Sequence, residues 1–407
     1  MKAMKIILPY LCCICITALL VFSLTHFVID AGQKAPAASD APTQTVPQET
    51  AEPYVAKLEE ISRYLSHYFI GELPDDQTVS DALAAALVSA SCDEWSYYIS
   101  AKDYDSYMES VQNAYVGIGV TISTADDNPL GIEVVGVAHG GPAEKAGIQV
   151  GDVMTKVEGQ STKELGLQET KNRVRGKEGT SISLTFSRDG VETEYQIVRE
   201  SIKVENITYE MMDNQIGYLA ISNFETNCAA DTISAIEDLV QQGAKGIVFD
   251  LRFNPGGMKD ELVKILDYLL PEGILFQSVN YKGEKSVDYS DANYLDLPMA
   301  VLVNVDSYSA AEFFAAALQE YGAGTVVGTQ TYGKGYYQNS FVLSDGSVLG
   351  LSTGKYCTPK GVSLAGVGIT PDVVVEVDDE TYRQLALGTV DKADDVQLQA
   401  AIDAILR

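Results

Sequence analysis

Apolar residues change their spacing as the chain proceeds. From Val55 to about Met108 they recur every three or four positions: Leu58, Ile61, Leu65 and Phe69, then Leu83, Leu87 and Val88. That period predicts two helices with one apolar face each. So small a helical unit buries little alone and should pack on another domain or a second subunit. From Tyr115 to about Glu200 short β-rich runs take over: Val116–Ile122, Gly131–Val137, Asp152–Val157, Ser181–Ser187 and Glu194–Arg199, with turn signals such as Asp189-Gly190 between them. Pro142 to Ala146 and Gly166 to Arg175 read as helices. Roughly 90 residues of this kind suit one small β-rich domain.

Beyond Glu205 strands and helices alternate as far as Val377. The run Ile247–Leu251 leads through Asn254-Pro255-Gly256-Gly257 into a helix from Lys259 to Leu270. Ala300–Asn304 leads through a turn into a helix from Ala310 to Tyr321, and Thr325–Val327 follows. This alternation predicts parallel βαβ units, whose function gathers at the carboxyl ends of the strands. A last helix is expected from Asp394 to Leu406. At the other end, Lys2 and Lys5 precede an apolar run from Ile6 to Ile29. It is long enough to span a bilayer and is expected to act as an anchor, the lysines inside and the rest outside. A cleaved signal peptide is the alternative, with Ala35-Pro36-Ala37 as its site. Gln33 to Pro53, rich in Pro, Ala, Thr and Gln, reads as an extended spacer.

Composition narrows the partners. Of 407 residues, 57 are acidic and 28 basic, a net charge of −29. Nucleic acid needs a basic footprint, so it is not an expected partner. Of six cysteines, Cys12, Cys13 and Cys15 lie in the apolar run; Cys92, Cys228 and Cys357 match no zinc spacing, and no disulfide framework is implied. The three histidines, His26, His67 and His139, all precede the α/β part. A Ser-His-Asp triad or a His-rich metal site is therefore not expected, and any hydrolysis needs another base.

Ser309 lies where a strand turns into a helix. Its hydroxyl would be exposed there, and the amide of Ala310, at a helix N-terminus, could face an oxyanion. The plain alternative is a helix cap, since Glu312 follows three residues later in a capping box. Gly256 and Gly257 allow close approach of backbone to a ligand, or merely mark a turn. Lys334 sits among Tyr332, Tyr336 and Tyr337, and desolvation by such rings lowers an amine's pKa. A neutral lysine can take a serine proton. Gly328, Gly333 and Lys334 also stand at phosphate-loop spacing, but Gly335 replaces the Ser or Thr that would hold a metal.

Taken together these stretches resemble the carboxyl-terminal processing (tail-specific) serine peptidases, from about Val55 to Leu406. Ser307-Tyr308-Ser309-Ala310-Ala311-Glu312 resembles S-A-S-A-S-E, with Ser309 on the nucleophile. Gly333-Lys334-Gly335 resembles F-G-K-G, with Lys334 on the general base, and 334 − 309 = 25 is the family's separation. Asp250-Leu251-Arg252-Phe253-Asn254-Pro255-Gly256-Gly257 resembles D-L-R-x-N-P-G-G, which lines the oxyanion hole. Gln338 falls on a glutamine that supports the lysine. Asp93-Glu94-Trp95-Ser96-Tyr97-Tyr98 is similar to D-P-x-S-x-Y. The closing stretch Tyr356-Cys357-Thr358-Pro359 to Gly368-Ile369-Thr370-Pro371-Asp372 is similar to Y-x-T-P through G-I-x-P-D. Gly117-Ile118-Gly119-Val120 resembles a PDZ carboxylate-binding loop, and Arg175 an arginine that couples PDZ domain and active site in some relatives. Tyr308 and Ala311 depart from the pattern, and Tyr308 could narrow the pocket.

The resemblance implies a multidomain α/β protein: a crotonase/Clp-protease-like peptidase core, an inserted PDZ domain and an N-terminal helical unit. The divisions expected are an anchor (1–30), a linker (31–54), the helical unit (55–113), the PDZ domain (114–200), the core (201–385) and a C-terminal helical segment (386–407). It implies a membrane-bound extracytoplasmic endopeptidase, or a secreted one if the N-terminal run is cleaved. It would take protein tails or C-termini as substrates, need no cofactor or metal, and could form a homodimer through its terminal helices. Two rivals remain at this point: a catalytically silent PDZ scaffold, and a nucleotide-binding enzyme using Gly328 to Lys334.

Overall fold

A computed structural model describes residues 53–123 and 130–407. The expected membrane run and Cys12, Cys13 and Cys15 lie outside the described residues, as does the spacer up to residue 52. Among the described residues no helix is long and apolar enough to cross a membrane.

A six-stranded sheet forms the centre of the molecule. Its order is Ile207–Met211, Ile216–Ile221, Gly246–Asp250, Met299–Val303, Gly324–Gly328 and Val373–Val374. The first pair is antiparallel and the rest are parallel. Spatial order follows chain order: the first three parallel steps are bridged by the helices Cys228–Gln241, Lys259–Leu269 and Ala310–Tyr321, and the last, to Val373–Val374, by the strands Tyr336–Val342 and Val348–Cys357. Side chains alternate across the sheet. Leu219, Phe249, Val301 and Val326 join the three crossover helices in the main core. Ile216, Val248, Leu302 and Val327 face the last helix, Val396–Leu406, through Leu398, Ala401 and Ile402. Parallel strands covered on both faces are continuous apolar runs, which is why Gly246–Asp250 and Met299–Val303 are buried throughout.

A second, antiparallel sheet packs beside the first. It contains Gly273–Asn280, Lys285–Ser290, Tyr336–Val342 and Val348–Cys357. Its edge is completed from upstream: Tyr97–Ile99 pairs with Val348–Gly350. The helical pattern expected up to Met108 is thus broken by a strand. The helices are Pro53–Tyr68, Asp76–Ser91 and Tyr104–Val111. Three strand residues between helical stretches are too few to carry a period of two. The first helix buries no residue, and Leu58, Ile61, Leu65 and Phe69 stay exposed.

The β-rich unit is an antiparallel sheet of Val120–Ser123, Ile132–Val137, Val153–Val157, Ser181–Arg188 and Val191–Val198, with its own core around Val134, Met154, Ile182 and Leu184. The helix expected from Gly166 begins at Thr162 and is kinked at Gly166, whose φ is 75°. Where the chain enters and leaves this unit, Ala114–Gly117 pairs with Glu200–Lys203.

Candidate active site

Ser309 stands between the end of the strand Met299–Val303 and the helix Ala310–Tyr321. Its backbone is in a left-handed region, φ 55° and ψ −123°, a strained setting for a residue with a Cβ. Tight bonds hold the turn in that shape. Ser307 Oγ donates to the Leu251 carbonyl (2.7 Å), and Tyr308 N donates to the Asn254 carbonyl (3.1 Å). The Ser309 turn is therefore fastened to the Asn254-Pro255-Gly256-Gly257 turn of the neighbouring strand.

Two glycines make that approach possible. A Cβ on Gly256 would lie 2.8 Å from Ser309 Cβ and 2.9 Å from Ala310 N, and one on Gly257 would lie 2.4 Å from the Phe224 carbonyl carbon. Their φ angles, 94° and 148°, also favour glycine. The three amides expected at an oxyanion hole are not equivalent. Gly256 N donates to Asn254 Oδ1 at 2.7 Å. Gly257 forms a parallel bridge with Phe224 that uses Gly256 O and Met258 N, so its own amide is not consumed by it. Ala310 N opens a helix and has no intrahelical acceptor.

Lys334 is 2% exposed. Burial drives its amine down from 10.5 to about 7, against the pull of Glu312, Asp93, Glu225 and Glu94. The rings expected around it are only partly the ones that cover it. Lys355 lies over Tyr336, and Tyr337 stacks on Tyr356. The Lys334 ammonium lies instead 4.5 Å from the ring centroid of Trp95, which comes from the D-P-x-S-x-Y-like stretch far upstream. Trp95, Tyr308 and Tyr332 form one aromatic cluster.

Glu312 joins the two halves of the site. One carboxylate oxygen accepts from Ser309 N (3.0 Å) and Lys334 N (2.8 Å), the other from Gly333 N (2.7 Å) and Thr331 Oγ1 (2.6 Å). Burial raises its pKa to about 7, while the four donors favour the carboxylate. The capping box is present, so Ser309 caps the helix as its sequence predicts. Gln338 is buried, donates to Ser352 Oγ (3.0 Å), and leaves Oε1 without a partner among the described residues. Glu225 was not foreseen. It is buried, burial raises its pKa well above the ordinary value, and Glu261 and Lys334 act on it.

Lys334 leads into the strand Tyr336–Val342 rather than a helix, so the phosphate-loop reading lacks its anion-binding helix N-terminus. Away from these residues, a groove of about 240 Å³ runs along the β-rich unit. It is lined by Gly117, Ile118, Gly119 and Val120, as expected, and by Val174 and Arg175. Gly119 takes φ 79°, and the carbonyls of Ile118 and Gly119 accept from Ala143 N and Ala138 N. Arg175 is not among the groups around Ser309. It lies over Tyr115 (5.5 Å) and near Glu109 (3.9 Å).

This geometry has known relatives. Residues 215–375 match peptidase family S41, and residues 133–188 match the PDZ domain. The chain is 37% identical, over 317 residues, to the carboxy-terminal-processing protease of Bartonella bacilliformis, covering 75% of this chain and 71% of that one. It belongs to the carboxyl-terminal processing peptidases of family S41. The family member carboxy-terminal processing protease CtpA of Bacillus subtilis is 34% identical over 321 residues, covering 78% of this chain and 68% of that one. A solved structure from Bacteroides fragilis, classed as an S41 protease, has the same fold: TM-score 0.51, 18% identity, 88% of this chain and 98% of that one. The mixed α/β core with an inserted PDZ domain is thus the family's fold.

Proposed function

We propose that this peptidase cuts peptide bonds with a Ser309–Lys334 dyad and captures protein tails or C-termini in the groove of residues 114–200. The observation that carries the reading is the Glu312 carboxylate, which holds the backbones of Ser309 and Lys334 together while Lys334 is buried as a weak acid near neutrality. In this reading Ser309 Oγ attacks the scissile carbonyl carbon as its proton passes to the neutral Lys334 amine. The oxyanion faces Gly257 N and Ala310 N, with Gly256 shaping the turn. Lys334 then protonates the leaving amine, and the acyl-enzyme forms. Water gives its proton to Lys334, attacks the ester, and Ser309 leaves with that proton. Gln338 Oε1 is the acceptor offered to the ammonium form. The enzyme would work outside the cytoplasmic membrane, held there by residues 1–30.

The test is cleavage of casein, an unfolded reporter, by wild type, Ser309→Ala and Lys334→Ala across pH. The base must be neutral, so activity should be low in acid and rise through about pH 7. Each substitution should cost at least ~10³-fold in kcat. Activity retained by Ser309→Ala would remove the mechanism. A folded wild type that binds tails but never cleaves them would leave a scaffold.

A further inference from the structure

Trp95 is the chain's single tryptophan. It is 6% exposed, and its ring face lies against the amine of Lys334 at 4.5 Å. The stretch that carries it is built to hold it still. Asp93 Oδ1 accepts from Trp95 N (3.2 Å), Ser96 N (2.9 Å) and Ser96 Oγ (2.8 Å). Ser96 Oγ accepts from Ser352 N (3.1 Å), and the next residues pair as a strand with Val348–Gly350. The indole also packs against Tyr332, edge-on at 5.3 Å, and Tyr308 at 6.2 Å. The helical unit thus joins the edge of the second sheet and lays one large ring on one amine.

Resting on the reading of Lys334 as general base, we propose that Trp95 is its positioning residue: the indole seals the amine from water and fixes it over a flat apolar face. Two effects of the ring oppose each other. The π face attracts the ammonium and so favours the charged form. Exclusion of water favours the neutral form. Burial is the larger effect, since the amine falls from 10.5 to about 7 even with the carboxylates of Glu312, Asp93, Glu225 and Glu94 acting the other way. Opening this wall therefore raises the amine's pKa. At a fixed pH below it, each unit of rise costs about tenfold in kcat/KM, because the neutral fraction falls by that factor.

The single indole is also the reporter. Trp95 fluorescence, excited where tyrosine does not absorb, should show one transition near pH 7 in the full-length protein and in Ser309→Ala. In Lys334→Met the amine's part of the transition should vanish, leaving only a step from the Glu312 carboxyl, which burial also brings to about 7. If the transition persists there with its full amplitude, the ring is not reporting the amine and the proposal fails. This measurement needs no cleavage, so it stands apart from failure of the peptidase reading. The second readout is kinetic. Trp95→Leu should move the midpoint of the kcat/KM profile upward by about one unit or more, and Trp95→Phe should restore most of it. A folded Trp95→Leu enzyme whose midpoint stays put, with only its thermal stability lowered, would show a merely structural ring and overturn the proposal.

Discussion

At the scale of single residues, the site holds a charge-bearing group where one is costly. A lysine whose amine falls to about 7 on folding destabilises the folded state wherever the unfolded chain would be protonated. The sign follows from the lowered pKa. Above 10.5 both states are neutral and there is no penalty; between 10.5 and about 7 the penalty grows as pH falls, and below 7 it is complete. Lys334→Met should therefore be more stable than wild type at neutral pH, by a few kcal/mol in order of magnitude, while being inactive. Thermal unfolding across pH checks this: the difference should shrink as pH rises toward 10.5. A Lys334→Met protein no more stable than wild type at any pH would mean that the amine is not held out of water. That this lysine lies beside the Ser309 turn was legible from Gly333-Lys334-Gly335 and its distance from Ser309. What covers it was not. Adjacent tyrosines were the only rings visible to local reading, whereas Trp95 arrives through strand pairing that no local pattern announces.

At the scale of elements, the βαβ core was the most legible part, because buried parallel strands are unbroken apolar runs and crossover helices carry strong three-to-four spacing. The helix Ala310–Tyr321 has the boundaries its sequence predicts. The last helix was legible too, but not its link to the Gly256-Gly257 turn. Asp395 caps that helix, accepting from Gln397 N and Leu398 N, and also pairs with Arg252 Nη2 at 2.7 Å. Arg252 is 6% exposed at its side chain and is held on its other side by Asp250. It opens the stretch that runs through Phe253, at φ 61°, to Gly256 and Gly257. Tyr382 adds a second link, with its ring against Phe253 and its hydroxyl donating to Asp306 ahead of Ser309. The C-terminal segment thus grips both turns of the site. Asp395→Ala leaves a buried guanidinium half-paired and a helix uncapped, and should cost about 3–5 kcal/mol. Asp395→Asn keeps the cap and isolates the ion pair. In both, kcat should fall more than KM rises, as measured by urea unfolding alongside steady-state kinetics. A loss of stability with kcat untouched would mean that the grip on Arg252 does not reach the Gly256-Gly257 turn.

At the scale of the whole molecule, the question is whether the PDZ unit communicates with the peptidase core. The chain crosses between them at the paired strands Ala114–Gly117 and Glu200–Lys203. Tyr115 belongs to this crossing and also lines the groove; Arg175, which caps the groove helix, lies over its ring and 3.9 Å from Glu109 on the helix Tyr104–Val111. A tail entering the groove must meet the same two side chains that tie the groove to the crossing. The tie is weak, because a half-exposed ion pair contributes only about 0–1 kcal/mol. A weak tie is easily rearranged by a ligand, which shifts an equilibrium only by its difference in affinity for the two states. Arg175→Ala should therefore change thermal stability by no more than roughly 1 kcal/mol. Its effect should appear in coupling: cleavage of a short amidated reporter, stimulated by a separate tail peptide in wild type, should be stimulated less in Arg175→Ala. Rising salt should weaken the wild-type stimulation in the same direction, because an exposed pair is screened. Equal stimulation in wild type and variant would leave the two units joined by the crossing strands alone, with Arg175 serving only to bind the tail.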